Sequence, residues 1–315
     1  MTAMISATDL RKTYGKKQAL DGFTLSVDEG TVCGLLGPNG AGKTTAVRIL
    51  ATLLKADSGN ASIAGHDLTT HSDRVRAAIG FTGQFSAVDE ILTGRQNLDM
   101  FARLYHLDRR QARQRTDELL DRFALHDAAD RPAGGYSGGM RRRLDLAVSL
   151  ILAPRVLFLD EPTTGLDPRT RAEVWTDIRE LVSAGTTVLL TTQYLDEADH
   201  LADQIAVIDS GTIIARGAPR ELKESVGGDR IELALRDEEQ TNAAARIVAA
   251  STGTDPGIDL HRRRVSAPAP ERFHNLSTTM RQLHEAGIDP EDIALRQPTL
   301  DDVFLKLTDR KEKTA

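Results

Sequence analysis

Runs of consecutive apolar residues alternate with helical patterns along the chain, and this alternation predicts a sheet of buried strands flanked by helices. Uninterrupted apolar runs are typical of strands that are buried on both faces. We expect such strands over residues 31–36, 156–160 and 186–192, short strands over residues 61–65 and 79–82, and helices over residues 45–54, 171–184 and 196–202. A hairpin is expected around Asp209-Ser-Gly211, which makes the sheet mixed. The fold class predicted for this part of the chain is α/β.

Two regions depart from this alternation. Residues 10–27 alternate apolar and polar positions, which predicts an antiparallel β layer, and Asp21-Gly22 supplies a turn signal. Residues from about 85 to 152 are highly charged and space their apolar residues for helices, which predicts a helical subdomain. The mixed sheet core, the antiparallel layer and the helical subdomain together form a first domain, predicted over residues 1–226.

The last part of the chain has its own pattern. Gly227-Gly228-Asp229 is typical of a linker, and the following residues predict strands and helices in the order β-α-β-β-α-β. That order is typical of a small α+β, ferredoxin-like domain. We expect this second domain over residues 227–315, and no catalytic constellation is recognisable in it.

Composition and charge narrow the functions that are plausible. The chain of 315 residues has a formal net charge of −6, so no electrostatic footprint for nucleic acid is visible, and Arg141-Arg-Arg143 is interpreted as a solvated helix face. No apolar run is long enough to span a bilayer, and the N-terminal residues lack the pattern of a signal peptide. The single cysteine, Cys33, falls in an apolar strand and suits a reducing compartment. His, Cys and acidic residues show no metal-ligand spacing. We expect a soluble cytosolic protein.

The segment Gly37-Pro-Asn-Gly-Ala-Gly-Lys-Thr44 fits the P-loop pattern G-x-x-x-x-G-K-[ST] and lies between a predicted strand and a predicted helix. Its glycines allow backbone N–H groups to converge on a phosphate. Lys43 can reach the β- and γ-phosphates and is also a catalytic candidate, while the Thr44 hydroxyl can bind Mg²⁺. The candidate nucleotide-binding residues here are Gly37, Pro38, Asn39, Gly40, Ala41, Gly42, Lys43, Thr44 and Thr45.

Two carboxylates, Asp160 and Glu161, end a predicted buried strand. In P-loop enzymes such an Asp completes the Mg²⁺ shell, and an adjacent carboxylate deprotonates the attacking water. We therefore predict Asp160 as a metal ligand and Glu161 as the catalytic base. The alternative is that these acids merely end the strand.

A second glycine-rich segment, Gly135-Tyr-Ser-Gly-Gly139, matches the nucleophile elbow G-x-S-x-G of serine hydrolases. An elbow needs a strand before it, and the preceding residues form a loop, so Ser137 is not predicted as a nucleophile. A serine and two glycines at the start of a helix suit anion recognition instead. Ser137, Gly138 and Gly139 are therefore candidates for a second phosphate clamp.

In combination, these motifs resemble those of ATP-binding cassette (ABC) ATPases over residues 4–225. The resemblance rests on Gly37–Thr44, Gln84, Tyr136–Met140, Leu157–Glu161, Gly165–Asp167 and Thr191–Gln193, in this order. It implies that Tyr14 stacks on adenine, that Gln84 joins Mg²⁺ to the attacking water, and that Gln193 is the catalytic switch residue. It also implies a homodimer in which Ser137, Gly138, Gly139 and Asp167 lie at the interface. Tyr14 is alternatively an ordinary half-exposed aromatic, and Gln84 and Asp167 are alternatively turn residues.

Two residues depart from the usual family pattern. Gln193 stands where most members have histidine, and because an amide does not titrate near neutral pH, any role that needs an imidazolium is in doubt. Met140 replaces the usual signature glutamine. Together with residues 81–89, 191–199 and 298–304, these features resemble the daunorubicin-resistance (DrrA-type) ATP-binding subunits of actinobacterial drug and lipid exporters.

The resemblance implies an ATPase with ATP as substrate and Mg²⁺ as cofactor. It would act on the cytoplasmic face of the membrane through a separate permease and export drugs, antibiotics or amphipathic lipids. The C-terminal domain would serve assembly or regulation. Two alternatives stay open, namely a permease-free ABC ATPase acting on ribosomes or nucleic acid, and a regulatory ATP-binding module in which Gln193 allows little turnover.

Overall fold

The computed structural model describes residues 3–83, 86–226, 228–304 and 306. The chain divides into two compact units, residues 1–218 and 219–315. This division falls before a helix, Pro219–Val226, that the sequence pattern did not predict, whereas the sequence places the domain limit at residue 226. The functional limits of the two domains stay a prediction.

The first unit contains the strands and helices that the apolar pattern predicts, with some additions. The helix α2 and the two-residue strand β5 are the additions in the list that follows. Its strands are β1 (Ala3–Tyr14), β2 (Lys17–Asp28), β3 (Val32–Leu36), β4 (Ser58–Ile63), β5 (His66–Asp67), β6 (Ile79–Thr82), β7 (Val156–Asp160), β8 (Thr187–Thr192), β9 (Gln204–Asp209) and β10 (Thr212–Gly217). Its helices are α1 (Lys43–Leu50), α2 (Ser72–Ala78), α3 (Gly94–Leu104), α4 (Arg109–Arg122), α5 (Gly138–Ser149), α6 (Pro168–Ser183) and α7 (Leu195–Leu201).

The central sheet has the strand order β10-β9-β3-β8-β7-β6. Every neighbouring pair is parallel except β9 and β10, which form the predicted hairpin. β3, β7 and β8 are buried along their whole length, which explains the apolar runs within them. Because β3, β8 and β7 are neighbours, the loops that follow their carboxyl ends meet at one edge of the sheet. Those loops carry the P-loop, Glu161 and Gln193.

The antiparallel layer is a sheet of order β2-β1-β4-β5. One detail of its prediction is wrong, because the hairpin between β1 and β2 turns at Gly15 and Lys16 rather than at Asp21-Gly22. Gly22 lies inside β2 with φ of 79° and accompanies a shift of register against β1. A glycine with positive φ within a strand is a feature of a β-bulge as well as of a turn, and here it forms the irregularity.

The predicted helical subdomain contains α3, α4 and α5. Thr93 and Asp108 each form a capping box at the start of α3 and α4, which explains where both helices begin. Leu98, Leu119 and Leu144 are fully buried in the hydrophobic core that this region shares with the sheet. The subdomain is therefore packed into the first unit, and Ser137 caps the start of α5.

The second unit has the predicted order β-α-β-β-α-β, preceded by a further helix. Its elements are α8 (Pro219–Val226), β11 (Arg230–Leu235), α9 (Thr241–Thr252), β12 (Gly257–Asp259), β13 (Arg264–Pro268), α10 (Arg272–Glu285) and β14 (Pro290–Arg296). The strands form an antiparallel sheet of order β12-β13-β11-β14 around its own apolar core. This is the strand order of a ferredoxin-like fold. Across the parts of both units that the structure describes, no helix is long and apolar enough to cross a membrane.

Candidate functional site

The P-loop connects β3 to α1 and needs glycine at two positions for different reasons. Gly42 has φ of 110°, and a Cβ there would lie 2.4 Å from the carbonyl oxygen of Ala19. A Cβ on Gly37 would lie 2.2 Å from the carbonyl oxygen of Ile208. Since α1 begins at Lys43, the loop delivers the positive end of a helix dipole to the same edge of the sheet. The loop is built for an anion.

Lys43 is buried, with 6% of its surface exposed, and its Nζ donates hydrogen bonds to the carbonyl oxygens of Gly37 at 2.6 Å and Pro38 at 3.1 Å. Burial lowers the pKa of Lys43, and the nearby carboxylates of Glu161 and Asp160 oppose that shift. An ammonium group that is buried against neutral carbonyls gains from an anionic ligand. Phosphate oxygens would supply this negative charge.

Thr44 and Asp160 lie together, as the sequence predicts for a metal pair, with 3.5 Å between Thr44 Oγ1 and Asp160 Oδ1. Asp160 is 3% exposed. Magnesium in phosphate-binding sites is held by one or two protein oxygens and completes its shell with water and phosphate. Among the described residues, no cluster of three or more His, Cys, Asp or Glu side chains is placed to hold a metal. The hydroxyl and the carboxylate therefore fit a magnesium ion that arrives with a nucleotide.

Thr191 belongs to this site, and the sequence analysis gave it no role. Its hydroxyl donates to Asp160 Oδ1 at 2.5 Å and accepts from the backbone N–H of Glu161 at 3.1 Å. Asp160 and Thr191 are paired residues at the carboxyl ends of β7 and β8. Because β8 also contains Thr187 and Thr192, the sequence did not single out Thr191. Thr191 fixes the orientation of the Asp160 carboxylate.

Glu161 has φ of 52°, a left-handed conformation that is uncommon for a residue with a side chain. Its backbone N–H donates to the carbonyl oxygen of Thr191 at 3.0 Å, and the Thr164 hydroxyl donates to its Oε2 at 3.2 Å. Non-glycine residues with positive φ persist where the surroundings hold them in place, and such positions cluster at functional sites. Glu161 is held from both sides next to the P-loop.

A cavity of about 320 Å³ lies along the P-loop. Its lining includes Tyr14, Lys43, Thr44 and Glu161, so the structure brings these predicted residues together. Tyr14 is 49% exposed at the end of β1, with the ammonium of Lys12 5.9 Å from its ring centroid. An exposed aromatic ring at the mouth of a phosphate-binding cavity is placed to stack on a base.

Ser137 is the N-cap of α5, and its hydroxyl oxygen accepts from the backbone N–H of Met140 at 3.2 Å. A Cβ on Gly139 would lie 2.4 Å from Thr170 Cγ2, so this glycine permits the close packing of α5 on α6. Gly138 lines a second cavity, also of about 320 Å³, and Glu161 lines both cavities. Of the residues that the structure describes, none of the signature residues 137–139 lines the P-loop cavity.

Asp167 caps the start of α6. Its carboxylate accepts from the backbone N–H groups of Arg169 and Thr170, both at 3.1 Å, and from the Thr170 hydroxyl at 2.6 Å. These hydrogen bonds, led by that of the Thr170 hydroxyl, lower the pKa of Asp167. The residue therefore has a local structural role, and its predicted place at a dimer interface stays a prediction.

Of the two predicted glutamines, Gln193 and Gln84, the structure describes only Gln193. Gln193 is exposed between β8 and α7, and Gln84 lies outside the described residues. A buried ion pair on α5 holds the described residues on both sides of position 84. Arg142 Nη1 donates to Asp145 Oδ2 and to the carbonyl oxygen of Gly83, each at 3.3 Å, and the backbone N–H of Ala87 donates to Asp145 Oδ1 at 3.0 Å. The sequence analysis interpreted residues 141–143 as a solvated face and missed this contact.

Burial dominates the electrostatics of this pair. It lowers the pKa of Arg142, against the opposing effect of the carboxylates of Asp145, Glu197 and Asp160. It raises the pKa of Asp145, against the N–H of Ala87 and the charge of Arg142. Both pKa shifts have the direction expected when burial disfavours the charged forms of Arg142 and Asp145.

Comparison with known proteins agrees with this geometry. Residues 20–164 match the ABC transporter family. The chain is 59% identical to the daunorubicin resistance ATP-binding protein DrrA2 of Streptomyces coeruleorubidus, covering 96% of this chain and 94% of that protein. It is 49% identical to the daunorubicin/doxorubicin resistance ATP-binding protein DrrA of Streptomyces peucetius, covering 98% and 93%.

Among solved structures, the fold matches an ATP-binding cassette whose dimer was determined in a post-hydrolysis state with ADP and Pi. The TM-score is 0.61 at 25% identity, over 68% of this chain and 98% of that one. The two daunorubicin-resistance relatives span nearly the whole length of the chain. The P-loop, the Ser137 cap and the Asp160-Glu161 pair follow one another along it in that order. The chain therefore belongs to the ABC transporter family, as an ATP-hydrolysing subunit of the daunorubicin-resistance group.

Proposed function

We propose that two copies of this chain hydrolyse MgATP at their shared interface and drive a separate membrane permease that exports drugs or amphipathic lipids. The observation that carries the proposal is the separation of the two phosphate-binding elements. The P-loop lines one cavity and the signature residue Gly138 lines another, with Glu161 at both. A second copy related by a two-fold axis completes each P-loop with a signature from its partner.

The residues of the P-loop cavity have distinct roles in this proposal. Lys43 binds the β- and γ-phosphates, and Tyr14 stacks on the adenine ring. Thr44 and Asp160, together with Gln84, would hold a magnesium ion, which would supply positive charge next to the phosphates. The P-loop residues Gly37 to Thr45, except Pro38, which has no N–H, bind phosphate oxygens through their backbone N–H groups.

Glu161 is the general base. Its carboxylate deprotonates the water that attacks the γ-phosphate, and the Thr164 hydroxyl and the backbone contact to Thr191 hold it in place. Gln193 donates a hydrogen bond to the γ-phosphate but cannot carry a titrating proton. Hydrolysis therefore depends on the carboxylate of Glu161 rather than on an imidazole.

Ser137, Gly138 and Gly139 bind the γ-phosphate held by the partner, and Asp167 lies at the same interface. Support comes from the position of Gly138, which lines a cavity other than the P-loop cavity, and from the matched cassette that was solved as a dimer. Two bound ATP molecules hold the dimer closed, and hydrolysis releases it. This cycle supplies the motion that a permease uses.

The names of the matched relatives support drug export as the task of this subunit. We place the chain on the cytoplasmic face of the membrane, where ATP is present, bound to a permease that crosses the bilayer. The second unit carries no assigned chemistry, and we assign it to assembly or regulation of the transporter.

The substitution Glu161→Gln tests the catalytic assignment. It keeps the size of the side chain and removes the base, so kcat falls ~10²-fold or more while ATP binding is retained. Glu118→Gln, on the exposed surface of α4, is the matched control and leaves kcat unchanged. Steady-state phosphate release and a nucleotide-binding titration measure the two properties. Near-normal hydrolysis by Glu161→Gln would remove Glu161 from the mechanism.

A further inference from the structure

Glu197, on α7, is a fully buried carboxylate that the proposed mechanism does not use. Its Oε1 accepts hydrogen bonds from the Thr163 hydroxyl at 2.7 Å and from Trp175 Nε1 at 3.1 Å. Its Oε2 is buried and has no hydrogen-bond partner within the described part of the chain. Burying an incompletely paired carboxylate is costly, so this residue is expected to do more than fill space.

The two donors to Glu197 come from different elements. Trp175 lies on α6, whereas Thr163 lies in the loop that follows β7 and is itself fully buried. Glu197 therefore joins the helix after Gln193 to the residues directly after Glu161. The same oxygen atom accepts both hydrogen bonds. Because the two donors are different residues, a substitution can remove one bond and leave the other.

The hydroxyl groups of Thr163 and its neighbour Thr164 contact different carboxylates. The Thr163 hydroxyl faces inward to Glu197, and the exposed Thr164 donates its hydroxyl to Glu161 Oε2 at 3.2 Å. Glu161 has φ of 52°, so the loop that leaves it must be held in place for this conformation to persist. The bond from Thr163 to Glu197 is a fixed point within that loop.

We propose that Glu197 is a positioning residue for ATP hydrolysis: by holding Thr163, it places the Thr164 hydroxyl against Glu161 and so aims the catalytic carboxylate. The inference rests on the proposed role of Glu161 as the base.

The first experiment compares two substitutions that each remove one bond to Glu197 Oε1. Thr163→Val removes the loop contact, and we expect kcat to fall ~10-fold with KM for ATP unchanged, since small misplacements of catalytic groups cost up to ~10²-fold. Trp175→Phe removes the contact from α6, and we expect kcat within about 2-fold of wild type. Thr163→Ser restores the hydroxyl and restores kcat.

Thr164→Val provides a second test at an exposed residue, where folding is not at risk. It removes the hydroxyl that contacts Glu161 and lowers kcat ~10-fold by the same reasoning. Thermal unfolding of every variant shows whether it is folded at the assay temperature. Equal loss of kcat in Thr163→Val and Trp175→Phe, or unchanged kcat in Thr164→Val, would overturn the inference.

A double-mutant cycle separates positioning from simple loss of stability. If Thr163 acts through the Glu161 carboxylate, Thr163→Val causes no further loss in the Glu161→Gln background. A further ~10-fold loss there would show that Thr163 acts in another way. If Glu161→Gln itself hydrolyses ATP normally, the proposed base is wrong. If Glu161→Gln is inactive and Thr163→Val is fully active, the positioning role of Glu197 is wrong.

Discussion

The bridge made by Thr191 gives a prediction whose size follows from the structure. Thr191→Val keeps the shape of a fully buried side chain and removes the hydroxyl that donates to Asp160 Oδ1 and accepts from the backbone N–H of Glu161. The N–H of Glu161 keeps its bond to the carbonyl oxygen of Thr191. The main loss is therefore at the Asp160 carboxylate, which is 3% exposed.

Two magnitudes follow. A hydrogen bond to a charged group contributes about 1.5–3 kcal/mol and a neutral one about 0.5–1.5 kcal/mol, so we expect the free energy of unfolding to fall by about 2–4.5 kcal/mol. Removing a partner that orients a metal ligand typically weakens metal binding by about 10- to 100-fold. We therefore expect the Mg²⁺ concentration for half-maximal ATP hydrolysis to rise by at least ~10-fold.

Thr187→Val, at the other end of β8, is the matched control. Thr187 is also fully buried, and its hydroxyl accepts a single bond, from the backbone N–H of Gly30 at 2.9 Å. We expect a loss of about 1 kcal/mol and no change in the Mg²⁺ requirement. Urea unfolding and a Mg²⁺ titration of phosphate release measure both effects. Identical results for the two variants would refute the bridging role of Thr191.

Three further predictions concern other parts of the first unit. Asp145→Ala leaves the guanidinium of Arg142 buried without its ion-pair partner. We therefore expect the free energy of unfolding, measured by urea titration, to fall by about 3–5 kcal/mol. A loss below about 1 kcal/mol would contradict the pairing. Gly42→Ala places a Cβ 2.4 Å from a backbone oxygen, at a residue whose φ is 110°. We expect the loop to be displaced and the affinity for ATP, measured by a binding titration, to fall by ~10-fold or more. Wild-type affinity would contradict the need for glycine. Burial raises the pKa of Cys33 to about 12. The thiol of the folded protein therefore stays protonated at pH values above the pKa of the same thiol in the unfolded chain. Because only the thiolate reacts with alkylating reagents, the folded protein is protected. Iodoacetamide at pH 8 is expected to label Cys33 in urea and not in the native protein, and rapid native labelling would contradict its burial.

The sequence predicted those parts of the site that depend on local spacing. The P-loop pattern places Lys43 at a helix start in any strand-loop-helix context, and Asp160-Glu161 ends a strand that the apolar run already defines. The sequence was ambiguous where one residue pattern is compatible with two local backbone structures. Asp21-Gly22 suits a turn or a bulge, and the pairing of β1 with β2 decides for the bulge.

The contacts that the sequence did not reveal join residues far apart in the chain. Thr191 contacts Asp160 because β7 and β8 are neighbours in a fixed register, and Glu197 contacts Thr163 because α7 packs beneath the loop after β7. Arg142 was interpreted as part of a solvated helix face because no basic or aromatic platform accompanies residues 141–143, yet it is largely buried and forms an ion pair with Asp145, one helical turn away. Buried polar partners of this kind follow from tertiary packing, and no local pattern specifies them.

The central claim is that this subunit acts on a permease, and a pull-down tests it most directly. Tagged Glu161→Gln, held in its ATP-bound state, is recovered from detergent-solubilised native membranes with MgATP, and Lys43→Ala serves as the control that does not bind nucleotide. We predict that a protein with several membrane-spanning helices co-purifies in stoichiometric amount with Glu161→Gln. Recovery from the soluble fraction alone, with ribosomes, nucleic acid or no partner, would contradict the account.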